Sequence, residues 1–263
     1  MQHQSLTDLT QRQLSVRLAR DEADLAAVQR LRWRVFCEEM GASLESAADG
    51  RDRDRYDPLC DHLMVIAEDA AGTREVVGTY RLLRQSVARQ NWGFYSAGEY
   101  DLAPLQRASV DCGELLELGR SCVLPAYRTS ATIALLWRGI SQYIALHGIA
   151  LMFGCASFPG RDPERHAAAL TWLHRNHLAP IEQRPRVLPG ENAWFPSRDL
   201  PADFDPRRMA LDLPPLVKAY LRVGATIGEG AYVDRAFNTV DVCVVMPVEQ
   251  ISARYAARFS AAA

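Results

Sequence analysis

Leu115-Leu-Glu-Leu-Gly-Arg-Ser-Cys-Val123, then Thr129-Ser130, and after Gly148 the run Ile149-Ala-Leu-Met-Phe-Gly-Cys-Ala-Ser157, decide the fold. Both outer runs are almost wholly apolar, as strands covered on both faces are. Between them Ile133, Leu136, Trp137, Ile140 and Ile144 recur at helical spacing. Thr129 or Ser130 is placed to cap that helix and Gly148 to end it. A strand-helix-strand unit of this kind makes a parallel pair with a right-handed crossover.

Upstream, Leu63–Glu68 and Glu75–Leu83 read as strands of a hairpin around Ala70-Ala71-Gly72-Thr73. Asp21 can cap a helix carrying Leu25, Val28, Leu31 and Val35 on one face, and Gly41 is placed to end it. Downstream, Thr239–Met246 reads as a further strand. An α/β fold follows, with a mixed sheet flanked by helices. Prolines 180, 185, 189, 196, 201, 206, 214 and 215 mark a long ordered excursion. It leads to a C-terminal piece of roughly 50 residues, too short to fold alone. Residues 1–263 are therefore expected to form one domain, with a body over 15–180 completed by 181–263.

Composition narrows the function. At 263 residues, 48% hydrophobic and 24% charged, the chain is an ordinary globular one, which sets aside disordered and disulfide-scaffold classes. A net charge of -2 argues against a nucleic-acid binder. Lys218 is the only lysine, which nearly removes Schiff-base chemistry and a phosphate loop ending Gly-Lys-Ser/Thr. The six cysteines are scattered, with no Cys-x-x-Cys pair, as in a reduced cytoplasmic protein. Met1–Gln13 is polar, and no run approaches the ~18 apolar residues of a bilayer span. The expected location is cytoplasmic, with at most a peripheral contact on the inner membrane face.

Several side chains could carry chemistry. Glu117 and Arg120 stand in a strand of Leu, Cys and Val, where unpaired charge is costly. A bulge at Gly119 would turn both to one side, and a buried structural ion pair and a site pair both fit. Arg81 lies in Gly78-Thr-Tyr-Arg-Leu-Leu-Arg84, placed either to meet an anion or to point to water. Asp52, Asp54 and Asp57 form a loop that could hold an amine, or simply be solvated among its arginines. His174, His177, Cys60 and His62 follow no metal-ligand spacing, so no metal is expected. Gly154–Gly160 lacks the Gly-x-Ser-x-Gly elbow and reads as a strand end entering a turn, with Cys155 a remote candidate nucleophile. Arg128, at the strand-to-helix turn, is placed near a helix start that could meet phosphate.

Taken together the segments resemble a known family. They are Arg34-Val-Phe-Cys-Glu-Glu-Met-Gly41, Gly78–Arg84, Gly93-Phe-Tyr-Ser-Ala-Gly-Glu-Tyr-Asp101, Leu116–Val123, Leu135–Ile140, Phe153–Phe158 and Leu213–Ala225. The family is that of the ornithine N-acyltransferases, which make lyso-ornithine lipid from acyl carrier protein thioesters. They are relatives of the acyl-homoserine-lactone autoinducer synthases within the N-acetyltransferase-like (GNAT) fold. The synthase pattern is matched by Arg32 and Phe36, by Asp52, Asp54 and Asp57, by Arg81, and by Glu117 and Arg120. The chain has Ala42 where those synthases carry tryptophan and adds Leu213-Pro-Pro-Leu216, so the ornithine branch fits better.

The resemblance implies transfer of a (3-hydroxy)fatty acyl group from acyl carrier protein to the α-amino group of L-ornithine. The thioester would be a co-substrate, with no further cofactor. It also implies that Leu115–Val123 and Ile149–Ser157 splay apart around the pantetheine arm. Glu117 is expected to be the general base, with Arg81 and Arg120 holding the ornithine carboxylate or orienting Glu117. The Asp52-Asp54-Asp57 loop is expected to order the N-terminal helices or meet the side-chain amine. Arg84, Arg89, Arg128 and Arg138 would form a landing patch for the acidic carrier. An acyltransferase for another amine, and a non-catalytic acyl or carrier-binding module, are the competing readings.

Overall fold

Asp21 starts the first helix by accepting the Asp24 N–H on its side chain, which satisfies one of the amides that every helix start leaves without an internal partner. The computed structural model describes residues 12–109, 113–196, 205 and 213–251. β1 (Gln13–Leu18) leads into α1 (Glu22–Trp33), which widens into a π-helical turn over Arg34–Glu39 and ends at Gly41, φ 76°. β2 (Asp61–Glu68), β3 (Arg74–Arg84), α2 (Gln85–Arg89), the two-residue β4 (Tyr100–Asp101) and α3 (Ala103–Ala108) follow. β5 (Glu114–Val123), α4 (Ser130–His147) and β6 (Ile149–Pro159) form the strand-helix-strand unit. Next come α5 (Ala167–Asn176), β7 (Arg186–Val187), β8 (Ala193–Trp194) and α6 (Pro215–Arg222). The last strands are β9 (Thr226–Ile227), β10 (Ala231–Asp234) and β11 (Thr239–Pro247). Cys112, Pro201, Pro206, residues 1–11 and the chain beyond 251 lie outside the described residues.

The chain divides into two units, Met1–Leu83 with Leu118–His147, and Arg84–Glu117 with Gly148–Ala263. In the first, β1 pairs antiparallel with β2, and β2 with β3, where Val77 is the extra residue of a bulge. The hairpin turn forms because Asp69 accepts the Ala71 and Thr73 N–H groups while Gly72 takes φ 80°. β3 is flanked by the Leu118–Val123 half of β5, and the bulged Val77 carbonyl accepts the Leu124 N–H at 2.9 Å.

α4 buries much of the face its apolar spacing suggests. Leu136, Trp137 and Ile140 are buried, together with Thr132, Gly139 and Tyr143, whereas Ile133 is 40% exposed. Gly139 marks the close approach to this sheet: a Cβ there would lie 2.7 Å from Leu63 and 3.2 Å from Val16. The bare backbone lets the helix seat closely on β1 and β2. Of the two candidate caps it is Thr129 whose hydroxyl receives the Thr132 N–H.

In the second unit Glu114–Glu117 pairs parallel with β6, the register running to Glu117 opposite Phe153. β6 in turn pairs antiparallel with β11 from Thr239–Pro159 to Pro247–Leu151. β10 lies on the other side of β11 and carries β8, and β9 also pairs with β11. Every residue of β11 from Thr239 to Met246 is buried, as its apolar run requires. The short C-terminal piece thus completes its sheet on β6.

Gly228 marks a close crossing beside β11. Its N–H donates to the Cys243 carbonyl at 2.7 Å, and a Cβ would stand 2.7 Å from the Pro185 carbonyl oxygen. Gly228→Ala is therefore expected to destabilise the protein by about 1–3 kcal/mol, the cost of overpacking against backbone. The measurement is the urea midpoint; an unchanged midpoint would mean that the crossing yields.

Candidate active site

Two clusters of buried polar side chains stand out, one in each unit. The first gathers three arginines and three aspartates. Arg32, fully buried on α1, meets Asp52 through Nε at 2.8 Å and Asp57 through Nη2 at 2.7 Å. Arg81 on β3 bonds Asp54 at 2.7 Å and Asp57 at 3.1 Å. Arg120 on β5 bonds Asp52 at 3.1 Å and Asp54 at 3.0 Å. Gln29 adds an N–H to Asp57 at 2.9 Å. Asp52, Asp54 and Asp57 thus each join two arginines, a closed and charge-balanced ring. Phe36 is buried in the turn that follows Arg32.

The electrostatics follow from this geometry. Burial alone would raise the Asp57 carboxyl, but Arg32, and then Arg81 and His62, hold it well below the usual carboxylate range. Asp54 is lowered in the same way, burial being outweighed by Arg81 and Arg120. His62 is pushed down by burial, and its Nε2 donates to the Asp57 carbonyl at 3.0 Å. The freedom expected of Gly119 is exercised one residue later: Arg120 itself takes φ 51°. Left-handed backbone is uncommon for a side chain of this size, and it persists where contacts over-determine it, as two aspartates do here.

The second cluster is built on Glu117. Its Oε2 accepts the Tyr95 N–H at 2.8 Å, and its Oε1 accepts the Ser96 N–H at 2.7 Å and the Ser96 hydroxyl at 2.6 Å. Phe94 stands edge-on to Phe153, ring centroids 4.9 Å apart, so the Phe94–Ser96 turn is seated on β6 as well. From there the chain lays Glu99 beside Cys155, whose thiol donates to Oε2 at 3.1 Å and lies 3.6 Å from the Ser96 hydroxyl. Cys155 faces Cys243 across the β6–β11 ladder. The Tyr100 hydroxyl donates to the Asp241 carbonyl at 2.8 Å. Burial, reinforced by the charges of Asp241, Asp234 and Glu117, pushes the Glu99 carboxyl up to about 8. Cys155 is also driven up, by its bond with Cys243 and by burial, so it is held as a thiol and is a poor nucleophile.

The remaining sequence candidates fall elsewhere. Arg128 donates through Nε to the Val123 carbonyl at 3.0 Å and is clamped bidentately by Glu39 at 2.6 and 2.7 Å. Arg138 and Arg89 are exposed and Arg84 is half-buried. His174 is engaged at both nitrogens, by the Leu170 carbonyl and the Gly230 N–H. Among the described residues no helix is long and apolar enough to cross a membrane.

Residues 31–138 match the family described as Acetyltransferase (GNAT) domain. Over 248 residues, 92% of this chain and 83% of that protein, the sequence is 50% identical to the L-ornithine N(alpha)-acyltransferase of Agrobacterium fabrum (strain C58). With the protein of the same name from Brucella abortus (strain 2308) it shares 47% over 256 residues, 95% of this chain and 90% of that one. The chain belongs to the L-ornithine N(alpha)-acyltransferase family. Its fold is also that of an N-acyl amino acid synthase from uncultured soil microbes, with a TM-score of 0.50 at 9% identity over 92% of this chain and 94% of that one.

In this acyltransferase, Glu99 and Asp241 are further buried acids, beyond those that motif spacing singles out. Glu99 lies within Gly93–Asp101, a segment that carries the resemblance. Asp241 interrupts the apolar run Thr239–Met246 as Glu117 interrupts its own, and that is its signal in the sequence.

Two stability outcomes follow. Asp57→Asn leaves Arg32 underpaired and is expected to cost about 3–5 kcal/mol. Because folding lowers the Asp57 pKa, its stabilisation is present above the ordinary carboxylate range and lost as pH falls through and below it. Urea midpoints against pH should therefore show a smaller acid-side decline in the variant. Glu99 has the opposite sign. Folding raises its pKa, so its contribution drains away as pH rises from about 4.5 to about 8. Glu99→Gln should flatten the decline in Tm across that window; parallel Tm curves would show that Glu99 is not a titrating group there.

Proposed function

We propose that this chain transfers a fatty acyl group from the thioester of an acyl carrier protein to the α-amino group of L-ornithine. The observation that carries the reaction and its acceptor is identity of 44–50% over at least nine-tenths of the chain with proteins named L-ornithine N(alpha)-acyltransferase. The carrier-protein donor goes beyond what those names state. It is supported by exposed arginines such as Arg138, which suit an acidic partner, whereas Arg128 already serves Glu39.

Aminolysis of a thioester needs a neutral amine, a proton acceptor as the nitrogen–carbon bond forms, and a proton for the departing sulfur. Glu117 is the acceptor in this reading, taking the amine proton directly or through the Ser96 hydroxyl that donates to it at 2.6 Å. Two backbone N–H groups fix the carboxylate, so the proton is received at a defined position. Arg81 and Arg120 act through the aspartate ring, holding Asp52 and Asp54 and with them the start of the chain that leads to β2. The described cysteines are all free thiols, which supports a reducing cytoplasmic setting. A lipid-like product would bring the enzyme into peripheral contact with the membrane as it leaves.

The test is release of free carrier-protein thiol on addition of ornithine, with the product identified by mass. Wild type is expected to form Nα-acyl-ornithine, and an acyl-coenzyme A that serves equally well would remove the carrier protein as the specific donor. Glu117→Gln should slow release by about 10²- to 10⁴-fold. A loss smaller than tenfold would mean that another group takes the proton.

A further inference from the structure

The Ser96 hydroxyl has one proton and commits it to Glu117 Oε1 at 2.6 Å. Its oxygen keeps two lone pairs, and one of them is within reach of the Cys155 thiol, 3.6 Å away on β6. The same thiol is 3.1 Å from Glu99 Oε2. Glu99, Cys155, Ser96 and Glu117 therefore stand in one line of hydrogen bonds, and all four belong to the second unit. A thiol has a single proton, so Cys155 cannot serve Ser96 and Glu99 at once.

Which way the thiol turns depends on Glu99. An ionised carboxylate only accepts, so it draws the thiol proton to itself at the shorter distance. A carboxylic acid can instead donate its own O–H to the sulfur, which frees the thiol proton for Ser96. Every donor then points the same way, from acid to thiol to hydroxyl to carboxylate, and bonds arranged in this sense polarise one another. The titratable groups around Glu99 are Tyr100 beside it in sequence, Glu117 from β5, Cys155 from β6, Asp234 from β10, and Asp241 and Cys243 from β11. Burial and the carboxylates among them keep Glu99 protonated up to about pH 8.

We propose that Glu99 is a positioning residue for acyl transfer, acting through Cys155 to hold the Ser96 hydroxyl on Glu117. The inference rests on Glu117 as the proton acceptor. Cys155 is a bridge in this arrangement, and no proton leaves the line. With Glu99 protonated, the Ser96 hydroxyl is fixed at both ends, by Glu117 and by the thiol, and its remaining lone pair is left for the incoming amine. With Glu99 ionised, the thiol turns away and the hydroxyl is free to rotate off Glu117. A second negative charge then also stands near the carboxylate that must take the proton. Transfer is accordingly fastest while Glu99 keeps its proton.

The experiment follows single-turnover release of the carrier-protein thiol at saturating ornithine, from about pH 7 to about pH 9, in wild type and Glu99→Gln. The glutamine amide donates to the thiol at every pH, and the ratio of the two rates cancels the ionisation of ornithine's own amines. The wild-type-to-variant ratio should fall by about tenfold over that range, as the protonated fraction of a group titrating near 8 does. A ratio constant within about twofold overturns the proposal. Should Glu99→Gln fail to fold, Cys155→Ala and Cys155→Ser decide. The alanine variant breaks the line and should lose the alkaline fall in rate; the serine variant restores a hydroxyl bridge and should regain it. An alanine variant that keeps the fall, or a serine variant that does not regain it, overturns the proposal. Glu117→Gln separates the two readings. If it slows release by less than tenfold, the proton acceptor and this inference fail together; if it is slow while the wild-type-to-Glu99→Gln ratio stays constant, only the line fails.

Discussion

A guanidinium withdrawn wholly from water is tolerable only where anions meet it with good geometry, and Arg32 satisfies that condition by drawing in Asp52 and Asp57. Once those carboxylates are buried they need further cations, which Arg81 and Arg120 provide. The left-handed backbone at Arg120 and the lowered pKa of Asp57 both descend from that first requirement. In the sequence these residues read as substrate-binding or structural alike. Their bonding ties α1, the acidic loop, β3 and Arg120 of β5 together.

The second cluster obeys the same electrostatics with the opposite outcome. Glu117 is satisfied by two backbone amides and a hydroxyl, whereas Glu99 is left among other acids and keeps its proton up to about pH 8. Positional control of Glu117 comes from the Phe94–Ser96 turn, which Phe94 packs against Phe153.

Much of the framework was legible in the sequence because it rests on periodicity and punctuation. The β5–α4–β6 unit, the hairpin, the Asp21 cap and β11 all stand where apolar spacing and turn residues put them. What failed was information that a single segment does not hold. Ile133 fits the helical stripe yet is exposed, and the close seat of α4 depends on Gly139 against Leu63, far away in the chain. β4, β7, β8 and β9 are two residues each, too short to show alternation. At the site, the arginines and aspartates could be named, yet only the fold shows that they satisfy one another. Glu99 and Asp241 draw their unusual setting from β5, β6, β10 and β11 together, which no local pattern encodes.

The aspartate ring also sets an order of events during folding. Asp57 is bonded across 24 residues to Arg81 and across 25 to Arg32, and Asp52 reaches across 68 to Arg120. Contacts of that span reward the chain only after the intervening loops have closed. The hairpin, by contrast, needs only neighbours. The bonds of the acidic loop are accordingly expected to form after those of the hairpin.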